Sequence, residues 1–165
     1  MRHYEESIVV NARPPEVFAF SDDFHNFSSH MNQSSAMMAG GKFKTVIDEG
    51  NFQRVGSHIK MSGKILGLSL YLNEMVSERI VPRTKRWETV GIPKLIVIGS
   101  YIMSFEIKPV PMGSNLTVTI DYGMPRGIFP AIVSTLFGTM YAKWCVRQMT
   151  LGVQNHFNNY GNYKY

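Results

Sequence analysis

Leu95-Ile-Val-Ile-Gly-Ser-Tyr-Ile-Met-Ser-Phe-Glu-Ile107, Lys108-Pro-Val-Pro-Met-Gly-Ser-Asn115 and Leu116-Thr-Val-Thr-Ile-Asp-Tyr122 are consecutive, and together with the long segment after Tyr122 they decide the fold. The first and third segments alternate with period two, as strands do. The middle segment carries two prolines and a glycine, the chemistry of a turn. After Met124-Pro125 the apolar spacing changes to a helical period and holds it for about thirty residues. A helix from about Gly127 to Phe157 would span roughly 45 Å at 1.5 Å per residue. That is longer than a small core needs for closure. Packed on a curved antiparallel sheet, it suits a fold with a cavity between sheet and helix.

Working outward, the chain of 165 residues is expected to form one domain, 1–165. Its hydrophobic fraction of 44% is enough for a full core. It has no run of eighteen apolar residues, so no membrane-spanning helix is expected. Met1-Arg-His-Tyr-Glu-Glu6 enters a strand pattern without the apolar stretch of a secretory signal. With a single cysteine, Cys145, the expected location is cytoplasmic. The formal charge is +5, but the basic residues are scattered; the densest group, Arg83-Thr-Lys-Arg86, reads as a hairpin tip. No nucleic-acid partner is expected, and peripheral membrane contact at most. The oligomeric state stays open.

Upstream, His3–Asn11 reads as the first strand, and Pro14-Pro15 with Glu16 opens a short helix that ends near Asp22-Asp23. Phe24–His30 reads as a second short helix, and Met31–Gly41 as a loop rich in Ser, Met and Gly. Strands follow at Phe43–Asp48, Val55–Lys64, Leu68–Ile80 and Lys85–Val90. A strand, two short helices, about six strands and a long helix make an α+β fold with an antiparallel sheet.

Several segments resemble a known superfamily. Ile8-Val-Val-Asn-Ala-Arg-Pro-Pro-Glu-Val-Phe18 is similar to its strand-to-helix opening. Val76-Ser-Glu-Arg-Ile-Val-Pro-Arg83, with Trp87, resembles its central hairpin. Tyr101–Pro109 with Gly113-Ser-Asn-Leu-Thr-Val-Thr119 resembles its last one. The superfamily is the START-like, birch-pollen-allergen-like group that includes bacterial polyketide cyclases and coenzyme Q-binding proteins. The resemblance covers nearly the whole chain and implies a helix-grip fold, a curved sheet around the C-terminal helix with an apolar cavity between them.

Catalytic and metal signatures are sparse. His3, His25, His30, His58 and His156 share no ligand spacing with one another or with cysteine. Neither a metal site nor a cofactor is expected. No nucleophile elbow or phosphate loop is present. Cys145, between Trp144 and Val146, reads as a buried structural thiol. Glu74 has the parity of Leu70, Leu72 and Val76. On a cavity wall it would be a buried acid with a raised pKa. A change of face between Leu72 and Met75 would instead leave it in solvent, and that is the expectation adopted. Asp121 should point outward.

The apolar set is the main signal. The expected cavity lining is Met61, Tyr71, Trp87, Tyr101, Met103, Phe105, Val118, Ile120 and Tyr122 from the sheet. Phe129, Val133, Leu136, Met140 and Trp144 would add a stripe along the helix. Such residues can simply form a dry core. Eleven Met and twenty aromatic residues also suit a tolerant pocket with polar tips. The expected function is binding or transport of a small hydrophobic molecule, such as a lipid, isoprenoid quinone or polyketide. The alternatives are a cyclase or aromatase using one acid–base residue in the cavity, and a module that docks on a protein partner. An ionisable side chain inside the pocket separates the first two.

Overall fold

The computed structural model describes residues 1–27, 43–65 and 67–161. Its strands are β1 (Arg2–Val10), β2 (Phe43–Ile47), β3 (His58–Ile65), β4 (Leu68–Ile80), β5 (Thr84–Thr89), β6 (Tyr101–Val110) and β7 (Gly113–Tyr122). The helices are α1 (Pro14–Asp22), α2 (Phe24–Phe27) and α3 (Ile128–Gly161). All strand pairs are antiparallel in one sheet of order β1-β7-β6-β5-β4-β3-β2. The helix α3 packs against β1 and β7, and α1 against β6 and β7. This is the helix-grip fold expected from the sequence.

Alternation decides which side chains face the helices. Ser114, Leu116, Val118, Ile120 and Tyr122 are buried on β7, and the residues between them are half-buried. On β6 the buried set is Tyr101, Met103, Phe105 and Ile107. The two rows meet in register, Phe105 beside Val118 and Met103 beside Ile120. Asp121, on the other face, receives His3 at 2.8 Å. The helix α1 starts at its two prolines, where the missing N–H groups need no partner. Glu16 closes its first turn by accepting from the Arg13 N–H at 2.9 Å.

Some boundaries differ from the sequence reading. Residues 95–100 lie outside β6, although their apolar run reads as strand. Among the described residues, backbone pairing there consists of hydrogen bonds linking Gly99 and Ser100 with Gly123, with a bridge between Tyr71 and Lys94 just before the run. The strand β3 starts at His58, because residues 48–57 form a compact loop around the Asp48 carboxylate. That carboxylate accepts from the Ser57 hydroxyl and from the backbone of Gly50 and His58. The last hairpin is tighter than expected, β6 running to Val110 and β7 starting at Gly113. The expected loop Met31–Gly41 and the end of the expected helix Phe24–His30 lie outside the described residues.

Gly113 is constrained twice. Its φ of +134° lies where L side chains are rarely found, and a Cβ would collide with the Val10 carbonyl oxygen on β1. Both obstacles are backbone, so neither can move aside. Gly113→Ala is expected to cost about 2 kcal/mol or more. A urea-denaturation midpoint equal to that of the parent protein would contradict this account of the β1–β7 contact.

Candidate functional site: a buried carboxyl under the long helix

The inner face of β3 and β4 carries Ile59, Met61, Leu72, Glu74 and Val76, all buried. Register explains this. Met61 pairs with Leu72, Ile59 with Glu74 and Val76 with Trp87. The irregularity in β4 falls between Val76 and Glu78, beyond the position that would turn Glu74 outward. The expectation of a solvent-exposed Glu74 is therefore wrong. The simple alternation places it correctly, and Glu74 is 4% exposed.

The carboxyl is met by groups from three elements. Glu74 pairs with Thr89, and the Tyr101 N–H donates to the Thr89 hydroxyl at 3.2 Å. Glu74, Thr89 and Tyr101 thus share one row across β4, β5 and β6. Thr89 is small, so the Tyr101 ring can lean over it. The Tyr101 hydroxyl donates to the Glu74 carboxylate at 2.6 Å. The Trp87 side chain is a second donor. From α3 come Tyr141 and Cys145, one turn apart and hydrogen-bonded to each other.

Burial governs the electrostatics. It pushes the Glu74 pKa up to about 7, against the opposing pull of Tyr101, Trp87 and the Lys85 charge. Near neutral pH the group can donate or accept a proton. Burial pushes the Cys145 thiol up to about 12, so it stays protonated and is a poor nucleophile. Tyr101 and Tyr141 both titrate well above the ordinary tyrosine range. Burial is the main cause for Tyr101, and for Tyr141 the charge that Cys145 would carry.

Beside this carboxyl runs a file of aromatic rings, Phe24–Phe52–Trp87–Phe105–Phe18, with neighbouring centroids 5.5–6.3 Å apart. Phe52 adopts a left-handed φ of 57°, uncommon for a bulky residue, and is 3% exposed. Its N–H donates to Ser57 at 2.9 Å. An ion cluster lies against the file. Arg79 and Lys85 reach the Asp22 carboxylate at 2.8 and 2.9 Å, Arg79 also stands over the Phe18 ring, and Lys85 over that of Phe52. The hydroxyls of Ser21 and Ser134 are buried and find no hydrogen-bond partner among the described residues.

Of the expected lining, Met61, Trp87, Tyr101, Met103, Phe105, Val118, Ile120 and Tyr122 are buried. Tyr71 is not, because it alternates with Leu72 and lies on the outer face, 38% exposed. The helix stripe needs a larger correction. Phe129, Leu136 and Met140 are 64%, 68% and 59% exposed, and Val133 and Trp144 are half-buried. The buried face of α3 is Ser134, Gly138, Ala142, Cys145, Val146, Met149, Thr150 and Val153. Small residues face the sheet there. A Cβ on Gly138 would already stand 3.4 Å from the Val97 carbonyl oxygen and 3.6 Å from the Tyr122 ring. A larger side chain would hold the helix away. The sequence reading missed this face because it weighted large apolar residues, and it missed Phe52 and Lys85 because both sit in polar stretches.

Residues 1–155 match the family described as polyketide cyclase / dehydrase and lipid transport. A protein from Thermus thermophilus superposes with a TM-score of 0.64 at 12% identity, covering 96% of this chain and 98% of its own. Ara h 8.0201 superposes at 0.57 and 12%, with 96% and 98% covered. The major latex-like protein 151 of Panax ginseng gives 0.57 and 14%, with 94% and 97% covered. No curated protein matches the sequence.

Proposed function

We propose, from the premise that the chain belongs to the polyketide cyclase / dehydrase and lipid transport family, that it binds one small hydrophobic molecule between sheet and α3. The ligand class is a lipid, isoprenoid quinone or polyketide, held in the cytosol without a cofactor. The observation that carries the reading is the Glu74–Tyr101 pair set among the apolar side chains of the inner sheet face. An apolar body would gain affinity from the walls, and one carbonyl or hydroxyl would be oriented by this polar pair.

Binding of an apolar fluorescent probe tests it. Saturation at one site per chain and a rise in melting temperature are expected, because only the folded state binds. Met61→Trp, beside Leu72 on the inner face, should weaken the probe by occupying its space. Tyr71→Trp, on the outer face, should leave it unchanged. An absent saturable site, or equal effects of the two substitutions, would overturn the reading.

A second reading, a cyclase-type enzyme, is favoured by one specific observation. A buried carboxyl with a pKa of about 7 suits proton removal from a carbon next to a carbonyl. On this reading Glu74 is the base and Tyr101 hydrogen-bonds the developing oxyanion. Cyclisation of a linear poly-β-carbonyl substrate should then be lost in Glu74→Gln while substrate affinity is retained. Equal turnover by both proteins would sink it.

A further inference from the structure

The first half of α3 leaves much of its apolar surface in solvent. Ile128, Phe129, Ile132, Leu136, Phe137 and Met140 are between 47% and 84% exposed. Met124, 50% exposed, precedes them, and Ile92, 59% exposed, shares a surface notch of about 70 Å³ with Met124 and Arg126. The loop at 91–93 therefore adjoins the segment 124–126 that leads into the helix. Single exposed apolar residues are ordinary, but a contiguous group marks an interaction surface.

Charge decides the partner. Phe129, Ile132, Leu136, Met140, Lys143 and Arg147 succeed one another at intervals of three or four, so they form one stripe on α3. The stripe is apolar for three turns and then cationic, and Lys143 and Arg147 are both exposed. Arg126 and Lys94, exposed at the other end, flank it. From Gly123 to Tyr165 the sequence has no Asp or Glu. Two copies pairing along this stripe would bring apolar surfaces together but leave the helix cations without acidic partners on the facing helix. A layer with an apolar interior and an anionic surface satisfies both halves. No helix among the described residues is long and apolar enough to cross a membrane. We propose that α3, with the loop at 91–93, is a docking surface for an anionic lipid bilayer. The first three turns lie in the headgroup region with their apolar side chains inserted. Lys143, Arg147 and Arg126 face acidic headgroups. This inference is independent of any interior ligand, because its residues lie outside the buried site.

Vesicle sedimentation of the full chain tests it, with phosphatidylcholine vesicles compared with mixed phosphatidylcholine–phosphatidylglycerol vesicles. Binding is expected to the mixed vesicles, with weakening at high salt as the charges are screened. The double variant Phe129→Glu/Leu136→Glu should lose about tenfold or more in affinity. Its melting temperature should be unchanged, because both side chains are already exposed. Independently, an environment-sensitive dye on Ile132→Cys should shift to the blue on adding mixed vesicles, so that the result does not hang on folding of the double variant. Failure of the parent chain to bind mixed vesicles at low salt would overturn the proposal, as would a dye that reports water throughout. A concentration-dependent dimer that Leu136→Glu dissolves, without vesicle binding, would assign the face to a second copy and also overturn it.

Discussion

Asp22→Ala is expected to lower the unfolding free energy by about 3–5 kcal/mol, the scale for breaking a buried ion pair from one side. Asp22 is 3% exposed and accepts from Arg79 through both of its carboxylate oxygens. Lys85, 2% exposed, reaches the same carboxylate at 2.9 Å and the Asp22 carbonyl at 3.0 Å. Removing the carboxylate leaves Lys85 as a buried charge without its bonded counter-ion. Adding Lys85→Met should recover part of the loss, because the stranded charge is then gone. The pH dependence has a definite sign. Burial works to raise the Asp22 pKa, but Arg79 and Lys85 together hold it below the usual carboxylate value. Its stabilising contribution is therefore complete above the unfolded-state pKa and is lost as the pH falls through the folded one. Urea denaturation of the parent, single and double variants checks both statements. A single variant as stable as its parent would mean that the cluster is not a structural ion pair.

Glu74→Gln has the opposite sign. The folded carboxyl titrates near pH 7 and the unfolded one near 4.5. Between these values the folded protein holds a proton that the unfolded chain has released, so stability falls as pH rises across that window. The difference corresponds to roughly 3 kcal/mol, fully lost above neutrality. Glutamine keeps an acceptor for Tyr101 and cannot ionise. The variant should therefore lack this decline and exceed its parent in stability at pH 8. Every other side chain is common to both proteins, so the difference between the two pH–stability curves isolates Glu74. Parallel curves would show that the carboxyl titrates like an exposed one. A natural side chain that costs stability at working pH fits a role in binding or proton transfer.

The antiparallel α+β architecture was legible because alternation on β7 and helical spacing after Pro125 are local, periodic signals. The opening strand and proline-led helix were legible for the same reason, and so was the burial, though not a cavity-lining role, of eight of the nine sheet residues expected to line the cavity. Tertiary structure alone decided the rest. The end of the apolar run 95–100 as a strand depends on which partners remain once β6 has paired with β5 and β7. The side taken by Glu74 depends on where β4 slips against β5, and residue type does not encode a register shift between two strands. The orientation of α3 ran against hydrophobicity. Ser134, Gly138 and Ala142 face the sheet because close approach rewards small side chains, while Phe129, Leu136 and Met140 face out. A helical stripe read from sequence shows that a helix is two-faced. Which face is buried depends on the shape of the surface it meets.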